Sequence, residues 1–217
     1  MGQPIKVWGI ATRTFHWSLV LCFAIAYISG EEESLLHIYS SYVIIGLLAF
    51  RLAWGFIGPK HARFLNFIQG IKPTLNYLQS ILAGKPKYYL GHNPLGGWMI
   101  LLLLVSLSLT SWTGLELYAQ EGKGPLASTR LTWISPAQAD SNDHRREEAD
   151  ERRLARENER GNDEWLEELH EALASFTLLL VFVHIGGVFV SGWLHRENLV
   201  RAMWTGYKTP PDDFKED

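Results

Sequence analysis

Four stretches of this chain are almost purely apolar, and each is about as long as a bilayer is thick. They cover residues 8–29, 35–57, 95–117 and 170–194. A helix needs roughly 20 apolar residues to cross a bilayer. In lipid, backbone N–H and C=O groups must be satisfied within a helix or a closed barrel. No alternating pattern with a period of two runs through the chain, which argues against a barrel. The expected fold class is an all-α membrane protein, a four-transmembrane-helix bundle in one domain over residues 1–217.

The overall hydrophobic fraction, 47%, hides this segregation, because the stretch near 138–165 is almost entirely charged. Nine Trp and eight Tyr suit a chain with two membrane–water interfaces, where such rings sit half wet. Cys22 is the single cysteine. It excludes a disulfide within the chain, covalent haem attachment through CxxCH, and cysteine clusters for zinc or iron–sulfur. It is expected to pack as a small apolar residue. The N-terminus resembles a signal peptide but lacks a small-x-small cleavage site, and further spans follow. It is read as a retained first helix.

Charge in the connections sets the expected orientation. Residues 58–93 carry Lys60, Arg63, Lys72, Lys85 and Lys87 and no acid. The N-terminal segment has Lys6 and Arg13, and Arg196, Arg201 and Lys208 follow the last span. The first connection, by contrast, is Glu31-Glu32-Glu33. Basic segments stay on the cytoplasmic side, so both termini are expected to be cytoplasmic. Residues 64–83 suggest a short helix from Pro73 lying at the cytoplasmic interface. Residues 119–167 form a charged extracytoplasmic loop in which acids outnumber bases. Its middle is readable as a solvated helix with pairs such as Glu148 and Arg152, or as disorder. A spacer or a docking surface for a partner protein are the two roles it offers.

Of the eight histidines, four have informative depths. His16 lies in the first span towards its cytoplasmic end, and His184 lies well inside the fourth. His37 and His170 open the second and fourth spans on the outer side. His170 and His184 are fourteen residues apart, which returns within about 40° of the same helix face and rises about 21 Å. One helix therefore presents imidazoles at two levels, and earlier helices offer one mate at each. The depth pairing is His16 with His184 and His37 with His170. Two imidazoles facing across a bundle are what bis-histidine haem ligation requires, and that arrangement favours electron transfer over oxygen binding. A hydrogen-bonded packing role suits any one of these histidines alone. It suits four of them matched in depth poorly.

Arg51 stands fourteen residues after His37, on a similar face and about 21 Å deeper. An intramembrane Arg needs a partner, and a haem propionate is anionic. Arg51 and Arg13 are the candidates for that contact, with snorkelling to the interface as the alternative. His61, His92, His144 and His195 are expected at the surface, although His92 offers a weak candidate for lining a quinone site. Ser106, Ser108, Thr110, Ser111 and Thr113 in the third span are expected to help helices pack closely.

The motifs RTFHW, the LH opening the second span, FRLAWGFIGPKHARF, YLGHNPLGG, ELHE with its later VH, and HRENLVRAMWTG resemble the prokaryotic cytochrome b561 family. That family includes the b-type cytochrome subunit of nickel–iron hydrogenases. The resemblance covers nearly the whole chain outside 138–165. It implies a bundle holding two haems b, with ligands falling on His16, His37, His170 and His184. It also implies electron exchange between membrane quinone and a redox partner, either a periplasmic c-type cytochrome or a hydrogenase-like protein. The expected location is a bacterial inner membrane, multi-pass. Nucleic acid is not an expected partner, and a homodimer is compatible with the sequence. Two other readings stay open: a membrane anchor or adaptor without its own redox role, and a metal or proton transporter.

Overall fold

A computed structural model describes residues 3–30, 34–84, 87–127 and 145–210, with side chains of the last stretch described from Glu164 onward. It contains two compact units, Met1–Val105 with Thr177–Asp217, and Ser106–Phe176. The elements are β1 (Ile5–Lys6), α1 (Ile10–Ile28), α2 (Leu35–Ile57), α3 (Phe64–Phe67), α4 (Ile71–Leu82), α5 (Pro94–Gln120), α6 (Arg145–His195), α7 (Leu199–Thr205) and β2 (Tyr207–Lys208).

Helices α1, α2, α5 and the Glu164–His195 part of α6 are long and apolar enough to cross a membrane. The chain is thus an all-α membrane protein with four candidate spans. Their outward surfaces are apolar, with Leu21 62%, Phe182 62% and Phe189 67% exposed. Such surfaces suit lipid, where the backbone is already satisfied within each helix. Polar start signals fix where spans begin. The Ser34 hydroxyl accepts from the backbone N–H of His37, and Asn93 accepts from that of Gly96 at 2.7 Å. Pro94 then takes the first helical position, where its missing N–H costs nothing.

Two helical segments differ from the sequence expectation. Helix α4 starts two residues before Pro73, which therefore sits in the first turn, where proline is tolerated. Helix α6 is 51 residues long, about 76 Å at 1.5 Å per residue. Its backbone runs unbroken from the charged stretch into the fourth span. Glu, Arg, Ala and Leu are strong helix formers, and no Gly or Pro interrupts 145–160. Of the two readings left open for this stretch, the helix is the one observed. The connection expected over 119–167 narrows at both ends accordingly. Residues 128–144, including His144, lie outside the described residues, as do the side chains of Glu148 and Arg152.

Residues near 5 and near 207 meet in a way that no pattern along the chain signals. Strands β1 and β2 pair antiparallel, Ile5 with Lys208 and Lys6 with Tyr207. Gly206 extends this contact by accepting from the N–H groups of Val7 and Trp8 at 2.9 and 3.1 Å. Val7, Trp8 and Leu90 form a small core beneath it, flanked by Ile5 and Met203. Helix α7 ends at Gly206 with φ +90°, the left-handed stop that favours glycine. A Cβ there would also stand 2.6 Å from the Trp8 carbonyl oxygen.

Helix α6 closes with Arg196 in the left-handed region at φ 54°. The Glu197 N–H then bonds back to Gly192 and the Arg196 N–H to Trp193, a Schellman arrangement. This turn aims Glu197 at a buried charge network. Its carboxylate lies 3.0 Å from Lys208 Nζ and accepts from the Tyr88 hydroxyl at 2.5 Å. Lys208 also donates to the Tyr89 carbonyl at 3.3 Å. Burial comes first, then the hydrogen bond to Glu197 and its charge, in pushing the Tyr88 phenol above its usual range.

Candidate haem-ligating histidines

His16 on α1 and His184 on α6 belong to the same unit and lie within electrostatic reach of each other. His16 Nδ1 is shielded from solvent and meets no hydrogen-bond partner among the described residues. The Trp17 ring stands edge-on to His16 at 5.1 Å. Phe15, buried beside it, packs against Phe50 of α2 at 6.3 Å. A shielded imidazole nitrogen without a partner is costly in a membrane interior, so His16 fits a site that is completed by a ligand.

His37 lies in the first turn of α2, positioned by the Ser34 cap. Its Nδ1 stands 2.8 Å from the carbonyl oxygen of Ala26 on α1. A carbonyl only accepts, so Nδ1 carries the proton and Nε2 the lone pair. His170, in the other unit, reaches the same state by another route. The Thr113 hydroxyl gives its one proton to the Thr110 carbonyl at 2.9 Å. Its oxygen then accepts from His170 Nδ1, also at 2.9 Å. Gly114 permits the approach, since a Cβ there would lie 3.0 Å from His170 Cε1. In both histidines Nε2 is the nitrogen suited to a metal, and the hydrogen bond from Nδ1 orients the ring. His37 and His170 fall in different units, so each is described with its own surroundings.

Arg51 is 5% exposed. It donates to the Ala62 carbonyl at 3.0 Å and lies over the Phe64 ring at 4.7 Å. It is held by the α2–α3 connection rather than extended into solvent. Arg13 donates through Nη1 to the Trp204 carbonyl, while its Nε is shielded with no partner among the described residues.

The surface expectation fails for two histidines. His92 keeps some exposure, yet its Nδ1 is shielded and its ring lies 4.5 Å from Trp8. Burial, followed by the charges of Arg51, Lys208, His184 and His61, lowers its pKa to about 3. His195 donates from Nδ1 to the Ser191 carbonyl at 3.0 Å, with its ring 5.8 Å from Tyr88. Sequence reasoning also missed Thr113 as the residue that orients His170. It read as one more small packing residue, and its partner is 57 positions away.

Comparison with known proteins places this chain in a family. The model of the family described as prokaryotic cytochrome b561 matches residues 7–206. A protein of Azotobacter chroococcum mcd 1, described as a probable Ni/Fe-hydrogenase B-type cytochrome subunit, is 34% identical over 119 residues. That match covers 49% of this chain and 48% of the relative, so it spans about half the relative's length. Proteins with the same description from Azotobacter vinelandii and Cupriavidus necator are 26% and 23% identical. These alignments cover 82% and 97% of this chain, and 68% and 91% of the relatives. No solved structure matches the chain. The chain belongs to the prokaryotic cytochrome b561 family and, with its four apolar helices, is a membrane electron-transport cytochrome of the b type.

Proposed function

We propose that this chain holds two haems b, the inner between His16 and His184 and the outer between His37 and His170, and conducts electrons across a bacterial inner membrane. The observation that carries the reading is the state of the four imidazoles. His37 and His170 each have Nδ1 facing an oxygen acceptor, an arrangement that suits metal binding through Nε2. His16 and His184 lie within electrostatic reach in one unit, with a His16 nitrogen lacking a partner there. The outer pairing rests on equal depth in the sequence.

When bound, haem supplies reversible one-electron exchange at iron. The chain's residues ligate it, orient it and keep water away. Arg51 and Arg13 supply positive charge towards the propionates of the inner haem. Quinone is the membrane substrate in this reading. The partner is a hydrogenase-like redox protein, in line with the description of the relatives. Both chain ends face the cytoplasm, as the basic residues of 58–93 suggest.

Purified protein assayed by pyridine haemochrome should contain two haems per chain, with a b-type α band in the reduced-minus-oxidised spectrum. His16→Ala and His37→Ala should each remove one. Full haem content in both variants, or no haem in the unaltered protein, defeats the proposal.

A further inference from the structure

Two N–H groups on α1 lack an acceptor among the described residues: Arg13 Nε and Trp17 Nε1, both shielded from solvent. They are four residues apart, so they share a face, about 40° apart and about 6 Å along the axis. His16 stands next to Trp17, ring to ring at 5.1 Å. Buried N–H groups are nearly always paired.

Among the described residues of this unit the sole acid is Glu197, and Lys208 and Tyr88 already hold it. The two donors are nevertheless held in place. Arg13 Nη1 is fixed by the Trp204 carbonyl. The Trp204 ring also packs edge-on against Trp17 at 5.6 Å. Gly206 leaves the room required, since a Cβ there would lie 3.3 Å from Arg13 Nε. Helix α7 thus braces both side chains from one side while their remaining N–H groups stay unmatched.

We propose that Trp17 Nε1–H and Arg13 Nε–H form a two-donor clamp for a carboxylate of the tetrapyrrole ligated by His16, with Trp204 as the positioning residue. This rests on the haem reading above and adds to it a neutral donor, Trp17. An Arg alone gives the carboxylate charge. An indole N–H beside it would fix which way the carboxylate turns.

The test is haem release from purified holoprotein into excess apomyoglobin, following the fraction that His16→Ala lacks. Trp17→Phe keeps an aromatic ring towards Trp204 and removes the N–H, and a haem ester separates loss of the N–H from loss of ring volume. The variant should release that fraction about tenfold faster or more, the scale of losing a hydrogen bond to a charged group. Reconstitution with haem dimethyl ester, which has no carboxylate, should erase the difference between the two proteins. Trp204→Leu should behave like Trp17→Phe, with the same dependence on the carboxylate. Equal release from wild type and Trp17→Phe overturns the clamp, as does a difference that persists with the ester. If Trp17→Phe does not fold, the unaltered protein suffices: equal release of haem b and of the ester overturns it. Haem that is bound, and lost in His16→Ala, but indifferent to Trp17 defeats the clamp alone. A wild-type protein without haem defeats the underlying reading.

Discussion

Replacing Glu197 with Gln removes the carboxylate that faces Lys208 across 3.0 Å. The two side chains are only 12% and 6% exposed, so solvent does little to screen them. Lys208 then faces only neutral oxygens among the described residues, the Gln amide and the Tyr89 carbonyl at 3.3 Å, and its ammonium remains buried without a counter-charge. Breaking one partner of a buried pair in this way costs about 3–5 kcal/mol. For a chain of this size that corresponds to a fall of roughly 10 °C in unfolding temperature. Lys208→Met in the Glu197→Gln background removes the stranded charge and substitutes an apolar chain of similar length. The double variant should recover most of the loss, because a buried pair is often replaceable by well-packed apolar residues. The assay is thermal unfolding of detergent-solubilised protein, followed by the fluorescence of its nine Trp. A double variant that melts as low as the sum of the two single losses predicts would show the two residues to be uncoupled and refute a buried pair of this strength.

Three further outcomes follow from other contacts. If His170 ligates haem as proposed, Thr113→Val should lower the haem affinity of that site about ten- to hundredfold by removing the acceptor for His170 Nδ1, and Thr113→Ser should preserve it. Haem titration of the two variants checks this. Gly206→Ala should cost about 1–3 kcal/mol, because φ is +90° and the new Cβ meets the Trp8 carbonyl; thermal unfolding measures it. His92 has a folded pKa of about 3, against about 6.5 in the unfolded chain. Its contribution is therefore full above pH 6.5 and is lost as pH falls towards 3, at up to about 1.4 kcal/mol per pH unit. His92→Gln should flatten the dependence of the melting temperature between pH 6 and 4.5, and an unchanged slope would count against a buried neutral ring.

The four spans were legible because lipid imposes one requirement over twenty residues at a time, and apolar runs record it directly. The heights assigned to the histidines rest on a related reason, since a helix converts sequence separation into rise. What the sequence did not disclose depends on single contacts between distant positions. Thr113 looks like its neighbours Thr110 and Ser111 until the 57-residue separation from His170 closes. Tyr88 and Glu197 are 109 positions apart, and neither residue type announces a partner. A strand of two residues has no period to read. His92 looked like a loop histidine because burial against Trp8 comes from tertiary packing, not from its neighbours YLG and NPL. For 145–160 the composition favoured a solvated helix and disorder alike, and only the continuation into an apolar span distinguishes them.

The pairing of Ile5 with Lys208 also bears on the order of events during synthesis. About two hundred residues separate the two strands, so at 5–20 residues per second the first waits some 10–40 s for the second to be made. Until then the segment ahead of α1 has neither its ladder partner nor Gly206 as its acceptor, and Arg13 has no Trp204 carbonyl to hold it. The beginning of the chain is thus among the last parts to become fixed. Shortening the tail before Lys208 should therefore loosen the entrance of the first helix as much as the exit of the last.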